Sequence, residues 1–473
     1  MDGGRNDKLI SRKPAKHNRR ESCLVIVQGK VYDVTDFLDG GRRIILKFSG
    51  KDTTLEYEPL HPSDAKRKNI PLEKQCLTPI DSSSVVKAVS SDEDKARQER
   101  MSARPLISEI LNLHDFEAIA KQVMSEQAWI YCSGSAYDEI TYRENRLAYH
   151  RIWFRPRILR DVSNVDWSTT ILGYKSSMPI YISAAALGKF FHPEGELPLT
   201  RAAGKHGIIQ MIPTMSSCSL NEIVGAALPG QTQFLQLYVQ RDRDLSKQLV
   251  QHAEKRGVKA LFITVDAAQL GRREKSFIDP SLNWNDIDWF KSITHLPLVL
   301  KGVQTWEDAL EAYDRGLVGV VLSNHGGRQL DFSRSPLEVL VEVVEKLGEK
   351  RGIKFPNEKF QVFVDGGVRR ASDVLKAIAL GATAVGVGRQ FLYALSAYGQ
   401  EGVEKAFQIM HDEFEMNMRL IGANSIRDVV PSMVDASCLK SHFVTVPKDR
   451  LYDGNYESLQ HARLRLGGSG AKL

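Results

Sequence analysis

The sequence predicts an α/β protein, a (β/α)8 barrel of the TIM type preceded by a small α+β domain. Three observations carry this reading. Eight short apolar runs recur between residues 179 and 389. Most are separated by stretches with apolar residues three and four apart, the period of a helix packed on one face. Ahead of them, a polar, serine-rich segment with neither pattern separates the N-terminal residues from the rest. The predicted organisation is an N-terminal domain over 1–75, a linker over 76–108 and the barrel over 109–473.

In the N-terminal domain, "LVIVQGKVYDV" reads as two strands about a turn at Gln28-Gly29. The linker carries "DSSSVVKAVSSDEDKARQERMSARP", polar and charged throughout. The eight runs follow as "PIYISA" (179–184), "GIIQMI" (207–212), "FLQLYV" (234–239), "ALFITVD" (260–266), "PLVLKGV" (297–303), "GVVLSNH" (319–325), "QVFVDGG" (361–367) and "AVGVGR" (384–389). Unbroken Val/Ile/Leu runs alternating with helices describe parallel strands buried on both faces. "DLSKQLVQHAEKRG" and "RASDVLKAIALG" are two of the helices, each closed by a glycine. An open doubly wound sheet is the competing architecture; it usually opens on a G-x-G-x-x-G turn, which is absent here.

Composition excludes several classes. A net charge of +6, from 64 basic and 58 acidic residues, is too mild to argue for nucleic acid. No apolar run is long enough to span a bilayer. The five cysteines are scattered, with no C-x-x-C pair, so neither zinc nor a disulfide framework is expected. The N-terminus lacks the apolar core of a secretory signal, and the final Ala471-Lys472-Leu473 is one residue from a peroxisomal address. Cytoplasmic and peroxisomal locations are both expected from this, a mitochondrial one less so.

Function in such a barrel sits at the C-terminal ends of the strands. Those ends carry Ser183, Gln236 and Tyr238, Thr264 and Asp266, Lys301, Ser323 and His325, Asp365 with Gly366-Gly367, and Gly388-Arg389. Polar groups at the ends of buried strands are costly unless they are paired or bind something. "VDGGVRR" and "GVGR" are glycine-rich turns after the seventh and eighth strands, the usual phosphate site of these barrels. A phosphorylated cofactor or substrate is therefore expected. Lys301 fits stabilisation of a reduced flavin or a Schiff base, and the neighbouring His, Asp and Arg favour the flavin.

The barrel region closely resembles the FMN-dependent α-hydroxy acid dehydrogenases and oxidases. The likeness rests on "RENRLAYHRIWFRPRIL", "TVDA", "GRREK", "FIDPSL", "LVLKGVQ", "LSNHGGRQLDFSRSP", "FVDGGVRRASDVLKAIALGA" and "GVGRQFLYA". The resemblance implies oxidation of an L-2-hydroxy acid to the 2-keto acid, with FMN as cofactor and cytochrome c or oxygen as electron acceptor, in a homotetramer. It implies His325 as general base, Asp266 as its orienting counterion, and Arg328, Arg273 and Tyr131 on the substrate carboxylate. Tyr238 would meet the substrate hydroxyl. Ser183, Ala184, Gln236, Thr264, Lys301 and Ser323 would contact the flavin, and Asp365, Gly367, Arg369, Gly388 and Arg389 its ribityl phosphate. Ala186, Met215 and Ile278 would line a small apolar side-chain pocket, suited to lactate.

The N-terminal region resembles a cytochrome b5 haem domain through "GKVYDVTDFL" and "GGRRIILKFSGKDTTLEYEPLHPSDA". Its second axial histidine is His61. The first has no counterpart, since "DFLDGGRRIIL" keeps Gly40 and Gly41 without a histidine and proline before them. Haem b with one axial histidine and no haem at all are both open. Three further departures concern the flavoprotein region. "GRREKSFIDP" lacks a long insert common after the lysine, Ala185 stands where relatives often have threonine, and Pro213 where serine is common.

Overall fold

The structure is a computed structural model. It describes residues 92–268 and 278–442, and short stretches at 18–19, 22–27, 30–34, 53 and 75–76. His61, Gly40, Gly41, Arg273 and the C-terminal tripeptide lie outside the described residues.

All eight predicted runs are strands of one closed, wholly parallel barrel. They are β1 (Ile180–Ile182), β2 (Ile209–Ile212), β3 (Gln233–Leu237), β4 (Leu261–Thr264), β5 (Leu298–Val303), β6 (Gly319–Leu322), β7 (Gln361–Asp365) and β8 (Ala384–Val387). Each pairs with the next, and β8 closes on β1 through Val385 opposite Ile180. The helices in chain order are α1 (Asp92–Ser102), α2 (Leu113–Val123), α3 (Glu126–Ser133), α4 (Ile140–His150), α5 (Leu197–His206), α6 (Leu220–Gly225), α7 (Arg243–Lys255), α8 (Asp286–Ile293), α9 (Trp306–Asp314), α10 (Pro336–Arg351), α11 (Ala371–Ala379) and α12 (Arg389–Ile421).

The barrel is a packed core rather than a pore. Tyr181, Met211, Phe234, Phe262, Val299, Val321 and Phe363 fill its interior, with Phe234 stacked on Phe262 at 5.3 Å. Each such ring is worth about 2–3 kcal/mol of burial. A hairpin (169–171 and 174–176) places Ile171 in the same cluster, and the Leu172 N–H donates to the Gln361 side chain at 2.9 Å. A second, larger apolar layer lies between strands and helices.

Two readings change in detail. The segment read as a linker is helical over its charged second half, as α1. Its run of Glu, Asp, Lys, Arg, Gln and Ala consists mostly of strong helix formers, and Arg100 donates to the Gln122 carbonyl of α2 at 2.7 Å. The sixth strand stops at Leu322, three residues before His325. The Ser323 hydroxyl accepts the His325 N–H at 3.0 Å and turns the chain out of the sheet. In the N-terminal region, Ser22–Val27 and Lys30–Asp33 pair antiparallel about the predicted turn.

Candidate active site

A cavity of about 490 Å³ opens at the C-terminal mouth of the barrel, within the range of ligand and cofactor sites. Tyr131, Ser183, Ala184, Ala186, Tyr238, Lys301, His325, Arg328, Asp365, Gly367, Arg369, Gly388 and Arg389 line it, together with Ala185. Met215 and Ile278, expected on the side-chain pocket, are not on this wall; they belong to a small apolar cluster with Tyr238, which is, and Ala267. Asp266, Gln236, Thr264 and Ser323 are not on the wall but bond to or behind residues that are. The Gln236 amide accepts the Thr214 N–H at 3.1 Å and donates to Thr264 at 2.8 Å, while Thr214 in turn accepts the Tyr238 N–H.

His325 sits in a tight turn with φ of 58°, a conformation rare outside glycine and one that needs strong support. The support is visible. Ser323 ties the His325 N–H to Asp365, donating to its carboxylate at 2.6 Å. Asn324 and Asn145 exchange two amide hydrogen bonds at 2.7 Å, and Asn324 also accepts the Gly327 N–H at 3.1 Å. Gly327, at φ 80°, lets this turn press on α4, since a Cβ there would lie 2.7 Å from the Tyr142 backbone nitrogen.

The imidazole is bonded on both sides. Nδ1 is 2.9 Å from Asp266 Oδ1, and Nε2 is 3.0 Å from the Tyr238 hydroxyl. A carboxylate only accepts, so Nδ1 carries the hydrogen and Nε2 is left as the basic atom. Burial pushes the Asp266 carboxyl up, but His325 and Lys301 outweigh it and hold it below the usual range. Burial, helped by Asp266, pushes the Tyr238 hydroxyl well above its ordinary value, so it stays a donor. Gly302 makes this geometry possible. A Cβ there would sit 2.5 Å from the Asp266 side chain, and the β5 register shifts at this position.

Lys301 Nζ lies 3.6 Å from Asp365 Oδ2 in a buried setting. Burial alone would lower its pKa; Asp365 and Asp266 reverse that and raise it, so the ammonium persists. Arg328 lies 5.1 Å from the Tyr131 ring centre and donates to the carbonyls of Tyr131 at 2.7 Å and Gly134 at 3.0 Å. Arg389 donates to Cys132 at 2.9 Å and Gly326 at 3.0 Å. Both thus cap the last carbonyls of α3, which have no partner inside the helix. Neither forms an ion pair among the described residues. Arg369 differs: it is paired with Glu117 of α2 and donates to the Tyr142 hydroxyl at 3.1 Å.

These groups suit a phosphorylated flavin. The Ser183 hydroxyl is buried and has no partner among the described residues, a polar atom waiting for one. Gly366 and Gly367, at φ 89° and 79°, turn the chain from β7 toward α11, and Arg389 opens α12 at the end of β8. A buried guanidinium bonded only to neutral carbonyls still has its full charge to offer an anion. Sequence reasoning did not single out Gly302, Asn145, Asn324 or Glu117. Asn145 falls inside "RENRLAYH", but nothing local announces a partner 179 residues away.

Comparison with known proteins agrees with this geometry. Residues 120–277 and 275–436 match the family described as FMN-dependent dehydrogenase. Residues 12–106 match the cytochrome b5-like haem/steroid binding domain. The chain is 48% identical to the L-lactate dehydrogenase (cytochrome) of Wickerhamomyces anomalus, over 96% of this chain and 84% of that protein. It is 42% identical to glycolate oxidase of Spinacia oleracea, over 69% of this chain and 96% of that one. Among solved structures, a flavocytochrome b2 variant with pyruvate bound superposes with a TM-score of 0.73 at 50% identity, covering 79% of this chain and 98% of that chain. A mandelate oxidase variant with (S)-mandelic acid does so at 0.63 and 35%, covering 69% and 98%. A parallel barrel with this cavity at its C-terminal mouth, matched by the family model over most of its length, places the chain in the FMN-dependent dehydrogenase family.

Proposed function

We propose that the protein oxidises a short L-2-hydroxy acid, lactate first among them, to the 2-keto acid and passes the electrons on to cytochrome c or oxygen. The observation that carries this is the chain Asp266–His325–Tyr238, at 2.9 and 3.0 Å, opening on a cavity beside Arg328, which has no carboxylate partner among the described residues. FMN, when bound, supplies the acceptor for the two electrons that leave the substrate. The protein does the rest. Arg328 grips the carboxylate, with Tyr131 and Arg273 assigned to the same group, and Tyr238 orients the hydroxyl. His325 Nε2 takes the proton, and Asp266 stabilises the imidazolium. Ser183, Ala184, Gln236, Thr264, Lys301 and Ser323 hold or support the flavin ring. Asp365, Gly367, Arg369, Gly388 and Arg389 hold its phosphate side. Ala186, Met215 and Ile278 bound the side-chain pocket, and their small or apolar character favours lactate.

The acceptor depends on the N-terminal domain, assigned to 1–75, with 76–108 joining it to the barrel. Cytochrome c is the acceptor if haem binds at His61. Oxygen is favoured by the absence of a histidine before Gly40-Gly41. One spectrum tests both. Anaerobic L-lactate should bleach the flavin band of the purified protein, and a haem band that sharpens afterwards would place haem on the electron path. A flavin band that no 2-hydroxy acid bleaches would sink the proposal.

A further inference from the structure

We propose that Glu196 is a positioning residue that sets the width of the substrate side-chain pocket; this rests on the reading of Ala186 and Met215 as pocket walls. Glu196 stands at the start of α5 and makes no contact with the catalytic histidine. Its residue is 0% exposed, and no cation pairs with it among the described residues. A buried carboxylate is tolerated only where hydrogen bonds replace its water. Here three backbone N–H groups do so. Oε1 accepts from Gly188 at 2.8 Å and from Ser217 at 2.9 Å, and Oε2 accepts from Cys218 at 3.0 Å.

Those donors belong to two different loops. Gly188 lies on the loop after β1, which carries Ala186. Ser217 and Cys218 lie on the loop after β2, which carries Met215. The loops also meet directly, the Leu187 N–H donating to the Met215 carbonyl at 3.1 Å. One carboxylate therefore fixes the separation of two pocket walls. There is no slack in the arrangement. A Cβ on Gly188 would lie 2.8 Å from Glu196 Cδ, and one on Gly195 would lie 2.7 Å from Cys218 Sγ. Leu187, next to Ala186, is held at φ 60° and ψ 47°, which a leucine keeps only when its surroundings over-determine it. Met215 relays the position onward, since it packs with Ile278 and Tyr238.

The test is the substrate profile of the FMN-loaded Glu196→Gln protein. Glutamine keeps the shape but turns an amide N–H₂ toward one of the three donors. The wild type and variant are assayed with L-lactate, L-2-hydroxybutyrate and L-2-hydroxyhexanoate, with flavin content measured for each. Released loops should lower kcat/KM for lactate about tenfold relative to the longest acid, mostly through KM, because one methylene of misfit is worth that much. The dissociation constants of the matching keto acids, read from the flavin spectrum, should shift in the same ratio. Losses equal across the series to within about twofold would show a purely structural residue and overturn the inference. Should the Gln variant fail to retain flavin, Glu196→Asp, which withdraws the carboxylate by one methylene, is judged by the same ratio. A wild type that turns over no acid of the series overturns the functional reading itself; a wild type that turns over beside an unshifted variant overturns only this inference.

Discussion

Replacing Asp266 with asparagine would keep its shape and remove the charge that fixes the His325 tautomer. Oriented bases of this kind contribute about 10²–10⁴-fold, so kcat for lactate should fall within that range while flavin content stays at the wild-type level. Steady-state assays on protein of matched flavin content measure it. Lys301 is the second informative residue. Lys301→Met leaves Asp365 and Asp266 buried without their cation, which costs about 3–5 kcal/mol, and thermal unfolding should register the loss. The pH dependence follows from the directions of the shifts. Asp266 is depressed in the folded protein, so its contribution is present above the ordinary carboxylate value of about 4 and lost as pH falls through the lower folded value. Lys301 is raised, so its contribution is present below about 10.4 and lost as pH rises through a higher value. Lys301 and Asp266 should therefore both stay charged between these limits, and circular dichroism of the bound flavin over that range is the check. At this scale the rim residues were legible because polar side chains ending apolar strands stand out. Gly302 was not legible, because its role is to leave room for a side chain from a different strand.

Turns and helices show the same division. All eight strands were readable from composition, since double burial demands unbroken apolar runs. The position of His325 beyond its strand was not, because a serine hydroxyl two residues earlier turns the chain, and that depends on tertiary contacts to Asp365. The charged half of the linker hid α1, since solvent-facing helices look like linkers when their apolar face is narrow. The β7–α11 turn gives a prediction of its own. Gly367 is at φ 79°, and a Cβ there would collide with the Asn145 carbonyl of α4. Gly367→Ala should push the turn away from α4 and lose FMN on gel filtration, whereas Gly225→Ala on α6, where no described residue lies within 4 Å, should not.

For the whole molecule, stability and cofactor are linked. FMN at about 100 times its dissociation constant adds about 2.7 kcal/mol to the folded state if the unfolded chain does not bind it. Melting of the apoprotein should therefore rise with added FMN, and riboflavin, which lacks the phosphate, should raise it less. The surface also carries exposed apolar side chains. Ile158 and Leu159 are 81% and 101% exposed beside the end of α12, where Met416 and Leu420 are 54% and 67% exposed. The Arg157 N–H donates to the Ile421 carbonyl at 3.0 Å, which sets the two segments side by side. A homotetramer, proposed from the family likeness, has here an apolar strip to bury. Leu159→Asp with Leu420→Asp should lower the mass seen by light scattering; an unchanged mass would exclude this strip from the subunit contact.

The end of α3 has a consequence for handling the protein. Arg328, assigned to the substrate, and Arg389, assigned to the cofactor phosphate, hang from the same carbonyls, those of Cys132 and Gly134. Anything that settles one guanidinium settles the peptide groups that hold the other. Linkage is reciprocal, so a dicarboxylate such as oxalate in the storage buffer should slow the leaching of FMN during dialysis. By the same reciprocity, FMN-depleted preparations should bind oxalate more weakly than loaded ones.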